Sequence, residues 1–176
     1  MPRSAAWIAV IGPGRCSAAE AAVAEEVGAA VAEAGAVLVC GGLGGVMEAA
    51  CRGARSAGGE TVGLLPGFDR EDANGWVRIA VPTGLGEARN ALVVRSADAL
   101  VAVGGAFGTL SEIALGLRAG LPVIGLGTWE LARGGRAEPG IVAMEDPREA
   151  VTEALRRVGE SGAGGRGGAG GVSRAP

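Results

Sequence analysis

Residues 99–112 read ALVAVGGAFGTLSE, and the fold follows from how that stretch is built. Five apolar residues, Ala99 to Val103, run without a polar interruption, as a strand does when helices cover both faces of its sheet. A glycine-rich turn ends the run, and a helical pattern then extends from Thr109 to Ala119. The same construction occurs twice upstream. WIAVI (7–11) leads through Gly12-Pro13-Gly14 into a helix reaching about Ala34, opened by Ser17 and Glu20 at capping-box spacing and closed by Gly35. AVLV (36–39) leads through the glycine turn 41–45 into a helix over 46–57.

Further strands are read at 61–65, 77–81, 122–126 and 141–143, with a loop over 68–76. Two more helices are read at 87–96 and 147–158, the second opened by Asp146 before Pro147. Strands alternating with helices predict an α/β, Rossmann-like, doubly wound parallel sheet in a single domain over residues 1–158. Residues 159–176, GESGAGGRGGAGGVSRAP, are too poor in apolar side chains to build a core and are expected to form a disordered tail.

Composition removes several kinds of chemistry. The chain of 176 residues is 48% hydrophobic but only 3% aromatic, so its core is built from Ala, Val, Leu and Ile. A net charge of −3 with no basic run argues against a nucleic-acid partner. No segment approaches the ~20 apolar residues that cross a bilayer. With no signal-peptide pattern at the start, a cytoplasmic protein is expected.

The absence of histidine excludes Ser-His and Cys-His pairs, and all 16 basic residues are arginine, which excludes a Walker-A lysine and a lysine Schiff base. Cys16, Cys40 and Cys51 have neither metal-ligand nor disulfide spacing; they read as small buried or half-buried thiols, and no metal or cofactor is expected.

The three glycine turns, 12–14, 41–45 and 104–108, all fall where a strand gives way to a helix. In an open parallel sheet that edge is where ligands bind. Glycine lets a backbone approach a ligand closely, and the unpaired amides of a helix start favour an anion. Phosphate binding is the expectation for the three turns together. Thr109 and Glu112 admit two readings, as a capping box or as a carboxylate in the first turn of a helix aimed at the ligand. Arg89, followed by Asn90, stands at a helix start, where the dipole gives no reason for a cation but a bound phosphate does.

These residues carry a resemblance. Gly104 to Glu112 resembles the PGGxGTxxE signature of the LOG (LONELY GUY) family, also labelled "lysine decarboxylase-like". GGLGGVME (41–48) resembles its GGGxxGLMG turn, and Glu87-Ala-Arg89-Asn90 its arginine-bearing helix start. Gly104 stands where the signature has Pro, Ala106 where it has a second Gly, and Asn90 where cytokinin-activating members have Lys. The Gly12-Pro13-Gly14 turn, Val46-Met47-Glu48, Arg89-Asn90 and Leu110-Ser111-Glu112 resemble more closely a sister bacterial branch that includes a molybdenum-cofactor carrier protein.

The resemblance implies a nucleoside 5′-monophosphate phosphoribohydrolase, releasing free base and ribose 5-phosphate, with Arg89 and Glu112 as the catalytic pair. It implies a phosphate or nucleotide site formed by Gly12, Gly14, Gly41, Gly42, Gly45, Met47, Asn90, Gly104, Gly105, Gly108 and Thr109. The sister branch implies an alternative, a non-catalytic carrier for a phosphorylated pterin or nucleotide. A homodimer or higher homo-oligomer is implied in either case.

Overall fold

The computed structural model describes residues 5–163. Its strands are β1 (Trp7–Ile11), β2 (Val37–Cys40), β3 (Thr61–Leu65), β4 (Ile79–Pro82), β5 (Ala99–Val103), β6 (Val123–Leu126), β7 (Ala132–Arg133), β8 (Arg136–Ala137) and β9 (Ile141–Met144). Its α-helices are α1 (Ala18–Glu33), α2 (Val46–Ser56), α3 (Asn90–Ser96), α4 (Phe107–Arg118) and α5 (Pro147–Ala163). Seven strands form one sheet in the order β4-β3-β2-β1-β5-β6-β9, parallel throughout.

Helices α1, α2 and α5 cover the face carrying Ile8, Val10, Leu38, Val101 and Ile124. Helices α3 and α4 cover the face carrying Ala9, Ile11, Val39, Leu100 and Val123. This is the doubly wound α/β architecture that the apolar runs predict.

Local signals explain most element boundaries. The Ser17 hydroxyl accepts the Glu20 amide at 3.2 Å, while the Glu20 carboxylate accepts the Ser17 amide at 2.8 Å. Asp146 Oδ1 accepts the amides of Arg148 and Glu149 at 2.8 and 2.9 Å. Helix α5 passes the expected domain end at 158 and runs to Ala163, with Arg156 and Arg157 paired to Glu153 and Arg156 also paired to Glu160 along it. The remaining residues of the expected tail, 164–176, lie outside the described residues.

Helices α1 and α2 touch at backbone distance. A side chain on Gly28 would overlap the Ala50 carbonyl, and one on Gly53 would overlap the Glu25 carbonyl. The Arg52–Glu25 ion pair, 2.8 Å, crosses the same seam. The connection from β3 to β4 holds only a 3₁₀ turn, Arg70–Asp72, in place of a helix. On the opposite, α3 side of the sheet, the edge strand β4 leaves Ile79 and Val81 50% and 40% exposed.

Candidate functional site

The strand order reverses between β1 and β5. The helix after β1 packs on one face and the helix after β5 on the other, so a crevice opens beyond the two carboxyl ends. A cleft of about 260 Å³ lies there. Gly12, Pro13 and Gly14 line it from the first turn, Gly41 and Leu43 from the second, and Ala106, Gly108 and Thr109 from the third. Val10, Ile11, Met47, Pro66, Gly86, Glu87, Arg89, Asn90 and Glu112 complete the lining. The three glycine turns thus meet at one site.

The turns are fastened to one another. The Val46 amide, first of α2, donates to the Pro13 carbonyl at 3.1 Å, and a side chain on Gly45 (φ +64°) would overlap that same carbonyl. The Gly42 amide donates to Cys40 Sγ at 3.3 Å, and the Asn74 side chain donates to the Gly42 and Leu43 carbonyls at 3.3 and 2.8 Å. Gly104 (φ +61°) donates to the Leu126 carbonyl at 3.0 Å. Gly105 underlies the Trp129 indole, whose Nε1 donates to the Ala106 carbonyl at 3.3 Å.

Gly42, Gly45, Gly104 and Gly105, expected among the ligand contacts, therefore shape the turns from behind and do not line the cleft. Gly12, Gly14, Gly41, Met47, Asn90, Gly108, Thr109, Arg89 and Glu112 do line it. Sequence reading missed Asn74 and Trp129, isolated polar and aromatic residues with no motif around them.

Helix α4 begins at Phe107, two residues before its expected start. Thr109 is therefore its third residue, and its hydroxyl reaches back to the Ala106 amide at 3.5 Å. This overturns the Thr109–Glu112 capping box: Glu112 lies a turn too deep to cap and faces Arg89 instead. The amides of Phe107, Gly108 and Thr109 have no carbonyl a turn earlier in the helix to bond. A side chain added at Gly108 would meet nothing within 4 Å, so the protein's own packing does not demand a glycine there.

Arg89 ends a 3₁₀ turn, Gly86–Arg89, and α3 begins at Asn90, where the sequence predicts one continuous helix. Its guanidinium lies on Gly41, where a side chain would stand 2.5 Å from both Nη atoms. Nη1 donates to Asn90 Oδ1 at 2.9 Å and stands 3.8 Å from Glu112 Oε1. Nε is buried and bonds to nothing. Arg89 and Glu112 are 7% and 6% exposed. Burial holds the guanidinium below its usual range. Burial also pushes the Glu112 carboxyl up to about 7, against the pull of Arg89.

The folded chain thus holds the Glu112 proton more tightly than the unfolded chain does. The resulting stabilisation is complete below the ordinary carboxyl range and is lost as pH rises through about 7. It amounts to ~3 kcal/mol at most. Glu112→Gln, which cannot ionise, is expected to remove this pH dependence and to be the more stable protein at pH 8 by up to that amount. Urea denaturation at pH 5, 6, 7 and 8 checks it; parallel curves for the two proteins would refute the assignment.

A family model described as the SLOG cluster4 family matches residues 5–151. An uncharacterized protein of Archaeoglobus fulgidus is 44% identical over 148 residues, covering 84% of this chain and 93% of its own. Among solved structures, the molybdenum cofactor binding protein of Rippkaea orientalis superposes with a TM-score of 0.80 at 35% identity, over 89% of this chain and 98% of its own. The molybdenum cofactor carrier protein of Chlamydomonas reinhardtii does so with a TM-score of 0.75 at 32% identity, over 89% and 99%. No helix among the described residues is long and apolar enough to cross a membrane.

Proposed function

The chain belongs to the SLOG cluster4 family, and from that premise we propose that it binds and carries a phosphorylated pterin of the molybdenum-cofactor class in the cleft between β1 and β5. The observation that carries this reading is Arg89: a buried cation with an unbonded Nε, lining the same cleft as the start of α4. A buried charge is costly unless compensated, and Glu112 at 3.8 Å makes a poor counter-ion. A phosphate between Arg89, the Gly108 and Thr109 amides and the Thr109 hydroxyl supplies the missing partner. Gly108 then has a reason to be glycine, since it leaves room for the ligand against the backbone. The pterin class comes from the two solved structures, whose names specify the molybdenum cofactor.

The test is to purify the protein under anaerobic conditions, denature it and identify the released small molecule by mass. A molybdopterin is expected. Repeated recovery of empty protein that also fails to take up molybdopterin removes the reading.

A second reading, hydrolysis of a nucleoside 5′-monophosphate, is favoured by Glu112. A carboxyl that titrates near neutrality and faces a ligand cleft suits general-base chemistry. In this reading Arg89 and Glu112 stand at the ribose–base bond, and Glu112 activates the attacking water. Removing such a base costs roughly 10²–10⁴ in rate. Incubation with AMP, CMP, GMP and cytokinin monophosphates, with chromatography of released base, decides between the readings.

We also propose a homodimer. Ile79 and Val81 of β4, with Leu85 and Leu92 beside the Arg89 turn, expose apolar surface that a second copy would cover. Sedimentation at the single-chain mass would rule it out.

A further inference from the structure

We propose that Cys40 and Cys51 form a two-electron redox pair whose disulfide reshapes the turn beneath the ligand cleft. Their sulfurs are 3.5 Å apart, one at the end of β2 and the other on α2, and both residues are fully buried. The pair lies within the bonds that shape the second glycine turn. Cys40 Sγ accepts the Gly42 amide, and the next residue, Gly41, is the surface on which the Arg89 guanidinium rests. Cys51 lies within reach of the Asn74 side chain, the same group that holds the Gly42 and Leu43 carbonyls. Cys16, the third thiol, is half-exposed and free.

A disulfide requires the sulfurs to close to about 2.0 Å, an approach of roughly 1.5 Å. The Cα atoms are fixed on regular elements, so whatever part of the approach side-chain rotation does not supply is taken up where the two elements join, which is the turn 41–45. Cys40 Sγ would bond covalently to Cys51 and weaken as acceptor for the Gly42 amide.

In the reaction, each thiol loses one proton and one electron, and a sulfur–sulfur bond forms. A diazene oxidant such as diamide accepts both electrons and both protons at its nitrogen–nitrogen double bond and becomes a hydrazine. A dithiol reductant reverses the step. Burial makes it slower than oxidation of a surface thiol, because the oxidant must wait for a local opening.

The experiment uses the full chain carrying Cys16→Ser, so that no intermolecular link forms. After diamide treatment, the intact mass is expected to fall by two hydrogen atoms, and a linked Cys40–Cys51 peptide should be recovered. Deuterium uptake at the amides of residues 41–45 should rise severalfold and return to its starting value with reductant. A further Cys51→Ser change should abolish both effects. Two results would overturn the proposal: both thiols remaining alkylatable after prolonged oxidation, or a linked pair with unchanged uptake across 41–45. Neither readout requires a bound ligand, so the result stands apart from the proposed cargo.

Discussion

Replacing Arg89 by methionine is expected to leave a folded protein that no longer retains its phosphorylated ligand. Methionine keeps much of the stem volume, though not the guanidinium that lies on Gly41, and exchanging a buried ionic group for an apolar one is often neutral or stabilising. Glu112 then loses its nearby cation and stays protonated at neutral pH, which removes the remaining buried charge. The cost falls on binding. Losing one member of a buried, hydrogen-bonded charge pair costs ~2–5 kcal/mol, roughly 30- to 5,000-fold in affinity.

Arg89→Lys should recover only part of it, because an ammonium cannot reproduce the fork of a guanidinium. Gly108→Ala supplies the contrast from the other wall: normal stability with weaker binding, since its added methyl meets only cleft space. Calorimetric titration of each variant with the ligand recovered from the wild type measures these losses. Unchanged affinity in Arg89→Met would refute the placement of the anion.

The second large effect lies away from the cleft. Gly28→Leu is expected to destabilise the chain by about 3 kcal/mol or more, at the upper end of the cost of overpacking. The obstacle is the Ala50 backbone, which no rotamer change can move aside, and the reciprocal contact at Gly53 prevents α1 from tilting away. For a domain of this size that corresponds to a melting temperature lower by roughly 6–12 °C. Thermal denaturation by circular dichroism reads it, and a shift under 2 °C, within the scatter of surface substitutions, would refute the backbone contact. Because α2 begins at the second glycine turn, the same variant should also loosen that turn.

The architecture was legible because each strand of the doubly covered sheet is a continuous apolar run and each glycine turn sits at a strand-to-helix junction. The caps at Ser17 and Asp146 were legible for the same kind of reason: their chemistry is local. The start of α4 was not, because Ala106 precedes it and has no side-chain acceptor to announce a cap. β4 begins at Ile79, where sequence reading starts it at Val77, since Val77 packs against the core without joining the ladder. The hairpin β7–β8 pairs only two residues on each side, too few for a period. Its Gly134-Gly135 turn, both residues at positive φ, is the one signal that marks it.

Within the site, sequence identified Arg89 and Glu112 and the three turns, but it could not divide the glycines by task. Whether a glycine faces a ligand or a neighbouring carbonyl depends on contacts far apart in the chain, such as Gly45 with Pro13 or Gly105 with Trp129.

Gly104 bears on how such proteins can be recombined. Its φ of +61° and its donated amide are both denied to proline, whose ring fixes a negative φ and carries no hydrogen on nitrogen. The proline-headed loop of the wider superfamily is therefore not a cassette that can be spliced in after Val103. A graft would cut the hydrogen bond by which the loop is tied to Leu126 at the end of the neighbouring strand. Any exchange of binding loops between these lineages has to begin where a negative φ and a missing amide are tolerated.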